Sequence, residues 1–167
     1  VLDTISGSPT ATLNSAHTLD QLKSVNNAFG GTIALTDYTV DLNGSSADVA
    51  AALAGTLAAT YTGDISLNDA HTLAQLKTIN SQTTGTITLT DYSVALNGSS
   101  ADVAAALDGT FAAQYTGTVS LNDNHTIDQL KTINDQTNNT ITLTSYAVGL
   151  TGSTANVKAA LDGTFAA

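Results

Sequence analysis

The sequence predicts an α/β fold, an elongated solenoid of three ~54-residue β-α-β-β-α repeats with parallel strands. Two observations predict it. His17, His71 and His125 recur in near-identical local text, as do Lys23, Lys77 and Lys131, and Tyr38, Tyr92 and Tyr146. Residues 63–113 and 117–167 agree at 36 of 51 positions. Units of this size with two short helices bury little apolar surface alone, whereas stacked copies bury one another in a continuous core.

The divisions that follow are an N-terminal segment at 1–8, repeat 1 at 9–62, repeat 2 at 63–116 and repeat 3 at 117–167. Strand starts such as Gly85-Thr-Ile-Thr-Leu89 and Gly117-Thr-Val-Ser-Leu121 alternate apolar and hydroxyl residues. That alternation marks a strand with one buried face. It points Ile87 and Leu89 inward and Thr86, Thr88 and Thr90 outward.

The segment Thr72-Leu-Ala-Gln-Leu-Lys-Thr-Ile-Asn80 puts Leu73, Leu76 and Ile79 on one helical stripe, with Thr72 and Gln75 in capping-box positions. Tyr92 to Leu96 then restarts an alternation, and Asn97-Gly98 reads as a turn. Ser99-Ser-Ala-Asp102 opens a second helix with a small-residue face, which Asp108-Gly109 ends. Alternating strands and helices favour parallel pairing with right-handed crossovers, in outline similar to a leucine-rich-repeat coil. A β-solenoid with short helices and a string of small domains are the alternatives.

Charge narrows the function classes. Four Lys, no Arg, 14 Asp and no Glu give a formal net charge of -10. Nucleic-acid binding is set aside, because phosphate surfaces are held by clustered Lys and Arg. With 42% apolar residues the chain is too hydrophobic for a disordered acidic tail. No stretch reaches the ~18 apolar residues of a membrane span, so membrane insertion is not expected. The sequence opens at Val1, neither an initiator Met nor a signal-like stretch, which reads as a mature form or an excised piece.

Catalytic sites are built once, from different residue types converging in one pocket. Here nearly every polar feature is repeated, and no catalytic triad, zincin or phosphate-loop text occurs, so no enzyme is expected. The repeated His stands just before a helix, as in Asn68-Asp-Ala-His71. It reads as a hydrogen-bonding partner of the adjacent turn, with a metal-binding or pH-sensing column as the sharper alternative.

Asp69, Asp91, Asp108, Asp123 and Asp162 stand in turns beside Asn, Gly and backbone carbonyls. They are the candidate calcium ligands, set against the ordinary use of Asp as a helix cap and turn former. Calcium is the cofactor such oxygen ligands would hold. Thr fills about one position in six, and Thr86, Thr88 and Thr90 beside Thr140, Thr142 and Thr144 would make a hydroxyl face able to match ice or a polysaccharide.

The text Asp69-x-His-Thr-Leu-x-Gln-Leu-x-x-Ile-Asn-x-x-Thr-x-Gly-x-Ile87 resembles the tandem arrays of very large secreted surface proteins of cyanobacteria and related bacteria. The resemblance covers residues 9–167. It implies an extracellular structural or adhesive role, often beside calcium-binding modules, and carries over no catalytic residue.

The expected function is an extracellular structural repeat protein that stacks into a rod, filament or surface layer. The alternative is a calcium-, glycan- or ice-binding segment of a giant adhesin. The third unit stops at Ala167, where an internal unit runs on into Gln114-Tyr-Thr-Gly, so the expected partner is the chain itself or an adjacent repeat.

Overall fold

The structure is a computed structural model and describes residues 9–166, so the 1–8 segment and Ala167 lie outside the described residues. Six helices form among the described residues: α1 (Leu19–Ala28), α2 (Ser46–Leu53), α3 (Leu73–Gln82), α4 (Ser100–Leu107), α5 (Ile127–Gln136) and α6 (Thr154–Leu161). They start every 27 residues, so each 54-residue unit holds two.

Their boundaries follow from local chemistry. Thr18, Thr72 and Thr126 cap α1, α3 and α5 in full capping boxes with Gln21, Gln75 and Gln129. Ser45, Ser99 and Ser153 cap α2, α4 and α6. Helices of eight to ten residues are marginal in isolation, so packing must hold them. Each packs on the next in chain order.

The strands are β1 (Thr10–Leu13), β2 (Thr32–Leu35), β3 (Leu42–Gly44), β4 (Thr56–Leu57), β5 (Ile65–Leu67), β6 (Ile87–Thr88), β7 (Leu96–Gly98), β8 (Val119–Leu121), β9 (Ile141–Leu143) and β10 (Phe165–Ala166). All pairings are parallel, in sheets of order β1-β2-β4, β3-β5-β6 and β10-β9-β8-β7. The chain is thus a mixed α/β protein with parallel sheets and no closed barrel.

A string of separate domains is excluded. β3 of the first unit pairs with β5 of the second, β7 of the second pairs with β8 of the third, and one apolar core runs through all three. Its strand side includes Ile33, Ile65, Leu67, Ile87, Leu89, Val119 and Ile141, so Ile87 and Leu89 point inward as their alternation requires. Leu22, Leu76, Ile79, Leu130 and Ile133 meet them from α1, α3 and α5.

Three details depart from the sequence reading. Asn97-Gly98 is no turn: both residues belong to β7, as Asn43-Gly44 belongs to β3. The glycine is there for packing, because a Cβ on Gly98 would sit 2.5 Å from Leu73 Cδ2, and one on Gly44 2.4 Å from Leu19 Cδ2. The third unit lacks its third strand: Leu150–Gly152, at the place of β3 and β7, pairs with nothing among the described residues. Finally, short extended segments follow the even helices, as β4, the Phe111 bridge to Ile87, and β10.

Candidate functional site

The repeated polar residues converge on the joints between successive turns of chain. The His17 imidazole lies just before α1, and its Nε2 is 2.9 Å from the Tyr61 hydroxyl, which in turn donates to the Val40 carbonyl at 2.6 Å. His71, Tyr115 and Val94 repeat the arrangement at 2.9 and 2.6 Å. A tyrosine proton spent on the carbonyl leaves only a lone pair for the imidazole, so Nε2 carries the histidine proton. Nδ1 is then the bare acceptor in His17 and His71, buried and unpartnered, and the Nδ1 of His125 is likewise buried without a partner.

Protonating such a ring would place a second N–H where nothing accepts it. Burial pushes His17 below the ordinary histidine pKa against the pull of Asp37, and pushes His71 down against Asp91 and Asp69. Burial raises both tyrosines far above their ordinary value, helped by Asp37 and Asp41 at Tyr61 and by Asp91 at Tyr115. The relay is therefore neutral and fixed in direction.

A second set of bonds ties α2 and α4 to the turns that follow them. Asp69 Oδ1 accepts the Ser46 N–H at 2.7 Å, and Asp123 accepts that of Ser100 at 2.7 Å. These are first-turn helical donors, so the carboxylates cap α2 and α4 from the next turn of chain. The Ser46 hydroxyl lies 3.2 Å from both the Ala70 carbonyl and Gln75 Oε1, and Ser100 repeats this with Asn124 and Gln129 at 3.1 and 3.0 Å.

A third set ties each odd helix forward. Asn26, Asn80 and Asn134 donate to the carbonyls of Ala51, Ala105 and Ala159 at 2.6, 2.9 and 2.8 Å. Gly55, Gly109 and Gly163 make room: a Cβ on Gly109 would stand 1.8 Å from Asn80 Oδ1. Lys23 and Lys77 pair with Asp48 and Asp102 across the same joints, whereas Lys131 turns to Asp135 on its own helix at 2.6 Å.

The calcium candidates are spread among these roles. Asp69 and Asp123 cap helices, and Asp91 accepts the N–H and hydroxyl of Ser93 at 2.7 and 2.6 Å. The Ser93 hydroxyl, then its N–H, holds Asp91 below the usual carboxylate range. Asp108 and Asp162 are the C-cap residues of α4 and α6, and Asp162 pairs with Lys158 at 2.6 Å. No group of three or more His, Asp, Glu or Cys side chains placed to hold a metal occurs among the described residues.

The threonine face differs from its sequence reading. β6 and β9 lie in different sheets, so Thr88 neighbours Ser66, and Thr142 neighbours Ser120. Thr90 and Thr144 spend their hydroxyls on the Leu67 and Leu121 carbonyls, both at 2.5 Å.

Sequence reasoning missed Tyr61 and Tyr115. It assigned the histidine to its adjacent turn, whereas the bond reaches 44 residues along the chain. The available signal was the 54-residue recurrence of Tyr61 and Tyr115 in Tyr-Thr-Gly text.

Compared with family models, curated proteins and solved structures, the chain has no match. No helix among the described residues is long and apolar enough to cross a membrane.

Proposed function

We propose that this chain is an extracellular structural repeat protein, an α/β solenoid whose work is to stack its turns into a stiff rod. One observation carries the reading: the joint between turns recurs bond for bond, with the His17–Tyr61–Val40 relay reappearing as His71–Tyr115–Val94. Polar side chains that a binding pocket would leave open are spent on neighbouring turns. A joint that repeats along the chain builds a linear array, in which each unit is stabilised by its neighbours alone.

The net charge of -10 suits a rod that must not stick sideways, since like-charged flanks repel. The extracellular placement rests on the resemblance of the Asp69–Ile87 text to repeats of secreted surface proteins. In this reading the chain performs no catalysis, and its carboxylates serve as caps and surface charge.

Duplicating residues 63–116 tests it. A four-unit chain should lengthen by about 10 Å, two strand spacings, and unfold at a higher urea concentration than the three-unit parent. An unchanged radius of gyration with an unchanged or lower midpoint would sink the reading.

A further inference from the structure

The two internal joints define a third that no described residue fills. In the first, Leu42, Asn43 and Gly44 of β3 pair with Ile65, Ser66 and Leu67 of β5 while α2 packs on α3. In the second, Leu96, Asn97 and Gly98 pair with Val119, Ser120 and Leu121 while α4 packs on α5. Leu150-Thr-Gly152 and α6 are the third outgoing face. There Leu161 is 51% exposed, whereas Leu53 and Leu107 at the same place are 0% exposed.

The matching incoming face is at the other end. β5 and β8 are paired on both edges, but among the described residues β1 stands at the edge of its sheet with β2 alone. Beside it a groove of about 330 Å³ is lined by Leu13, Ser15, Ala16, His17, Gln21 and Val25, among others. Gln21 and Ala16 are the counterparts of Gln75 and Ala70, which receive the Ser46 hydroxyl inside the chain.

We propose that a second copy of this chain docks head to tail, Leu150–Gly152 of one copy adding as a strand to β1 of the next while α6 lies on the next copy's α1. This rests on the stacked-turn reading above. The internal registers, carried forward by whole units, place Leu150 opposite Ala11, Thr151 opposite Thr12 and Gly152 opposite Leu13. Thr154 takes the place of Ser46 and enters the groove at Gln21.

Charge selects this occupant. Ala50 and Ala74 line one groove between α2 and α3. At the terminal joint the same two positions are Lys158 and the second copy's Asp20, a cation facing an anion. Lys158 is exposed, and among the described residues it pairs with Asp162, the C-cap of its own helix. Inside the chain the first position is alanine both times, at Ala50 and Ala104.

Two differences make this joint weaker than the internal ones. Ser15 stands where Asp69 and Asp123 cap a helix, and the sequence has Gly7 where Tyr61 and Tyr115 stand. The contact is therefore reversible and heterologous, and it grows without closing.

Sedimentation velocity of the full chain over a wide concentration range, with thermal melts as the check on folding, tests this. The parent should form open-ended oligomers. Leu161→Asp, at an exposed position, should weaken association about a hundredfold with an unchanged melt. Lys158→Asp and Asp20→Lys should each weaken it about tenfold, and the combined variant should recover it. Ser15→Asp should tighten it several-fold by restoring the missing cap, a gain that misfolding does not produce.

A parent that stays monomeric throughout, oligomers that stop at two, or association indifferent to Leu161→Asp and Ser15→Asp would each overturn the proposal. A monomeric parent whose four-unit form lengthens and stabilises removes this contact and leaves the rod reading standing. A four-unit form that does neither removes the reading itself.

Discussion

The α4 and α6 helices occupy the same place in successive units and share five of eight residues, yet they differ sharply in burial. Val103, Ala104, Ala106 and Leu107 of α4 are buried, whereas α6 buries Ala160 alone. Both are Ser-capped and eight residues long. What differs is the turn that follows: α5 covers α4, and no described residue covers α6 in that way. Burial here belongs to the joint rather than to the helix, so stability should be distributed by joints.

The largest test of that contrast compares one leucine in its two settings. Leu107→Ala should cost about 2–5 kcal/mol, the usual cost of emptying a filled core site. Leu161→Ala should fall within about 0.5 kcal/mol, as surface changes do. Urea unfolding of both variants at a concentration where the parent is monomeric measures the difference. Equal losses would mean that α6 is covered in solution by something the joint analogy does not supply.

Next comes the relay. Tyr115→Phe keeps the ring and removes the hydroxyl, leaving the Val94 carbonyl and His71 Nε2 without partners at a cost of about 1–3 kcal/mol. The same change at Tyr146, 54% exposed and outside any relay, should leave the urea midpoint unchanged. If the two variants unfold alike, the buried hydroxyl contributes nothing net and the relay is only a consequence of packing.

Much of this architecture was legible and part was not, for reasons of range. The helices and caps could be read because Thr72 and Gln75, or Ser99 and Asp102, interact within one turn of backbone. Strand faces could be read because alternation is local. Tyr61 was invisible as a partner of His17 because their bond joins residues 44 apart in the chain, which only the tertiary fold brings together. Asp69 drew attention as an oxygen donor in a turn, but the N–H it accepts lies 23 residues earlier, at Ser46. Leu150–Gly152 carries the Leu-x-Gly text of β3 and β7 and still forms no strand, since strand formation there needs the next turn's edge.

Acid should weaken the joints through the histidines. His17 and His71 have folded-state values below their unfolded ones, so near pH 6.5 the unfolded chain takes up protons that the folded chain refuses. Stability is therefore full above that pH, and it is lost progressively as pH falls toward the lowered folded values. Replacing His71 by Gln should flatten the pH dependence of the urea midpoint below about pH 6.5. An unchanged slope would assign the acid loss to the carboxylates Asp37, Asp48, Asp91 and Asp102, whose folded values are depressed and which titrate lower.

The smallest effect expected is also the one that separates charge from packing. Lys23 and Lys77 each reach across a joint to an aspartate, but Lys131 finds Asn156 at that place and bonds Asp135 instead. Asn156→Asp rebuilds the cross-joint pair without touching the core. Exposed ion pairs gain little, because two long side chains must be ordered in high dielectric and salt screens what is gained. The urea midpoint should therefore rise slightly at low ionic strength and return to the parent value in about 0.5 M salt, where the screening length is only a few ångströms. A large, salt-resistant gain would mean that the α5–α6 joint is limited by charge. The contrast between α4 and α6 would then rest on their substitutions as well as on the turn that covers them.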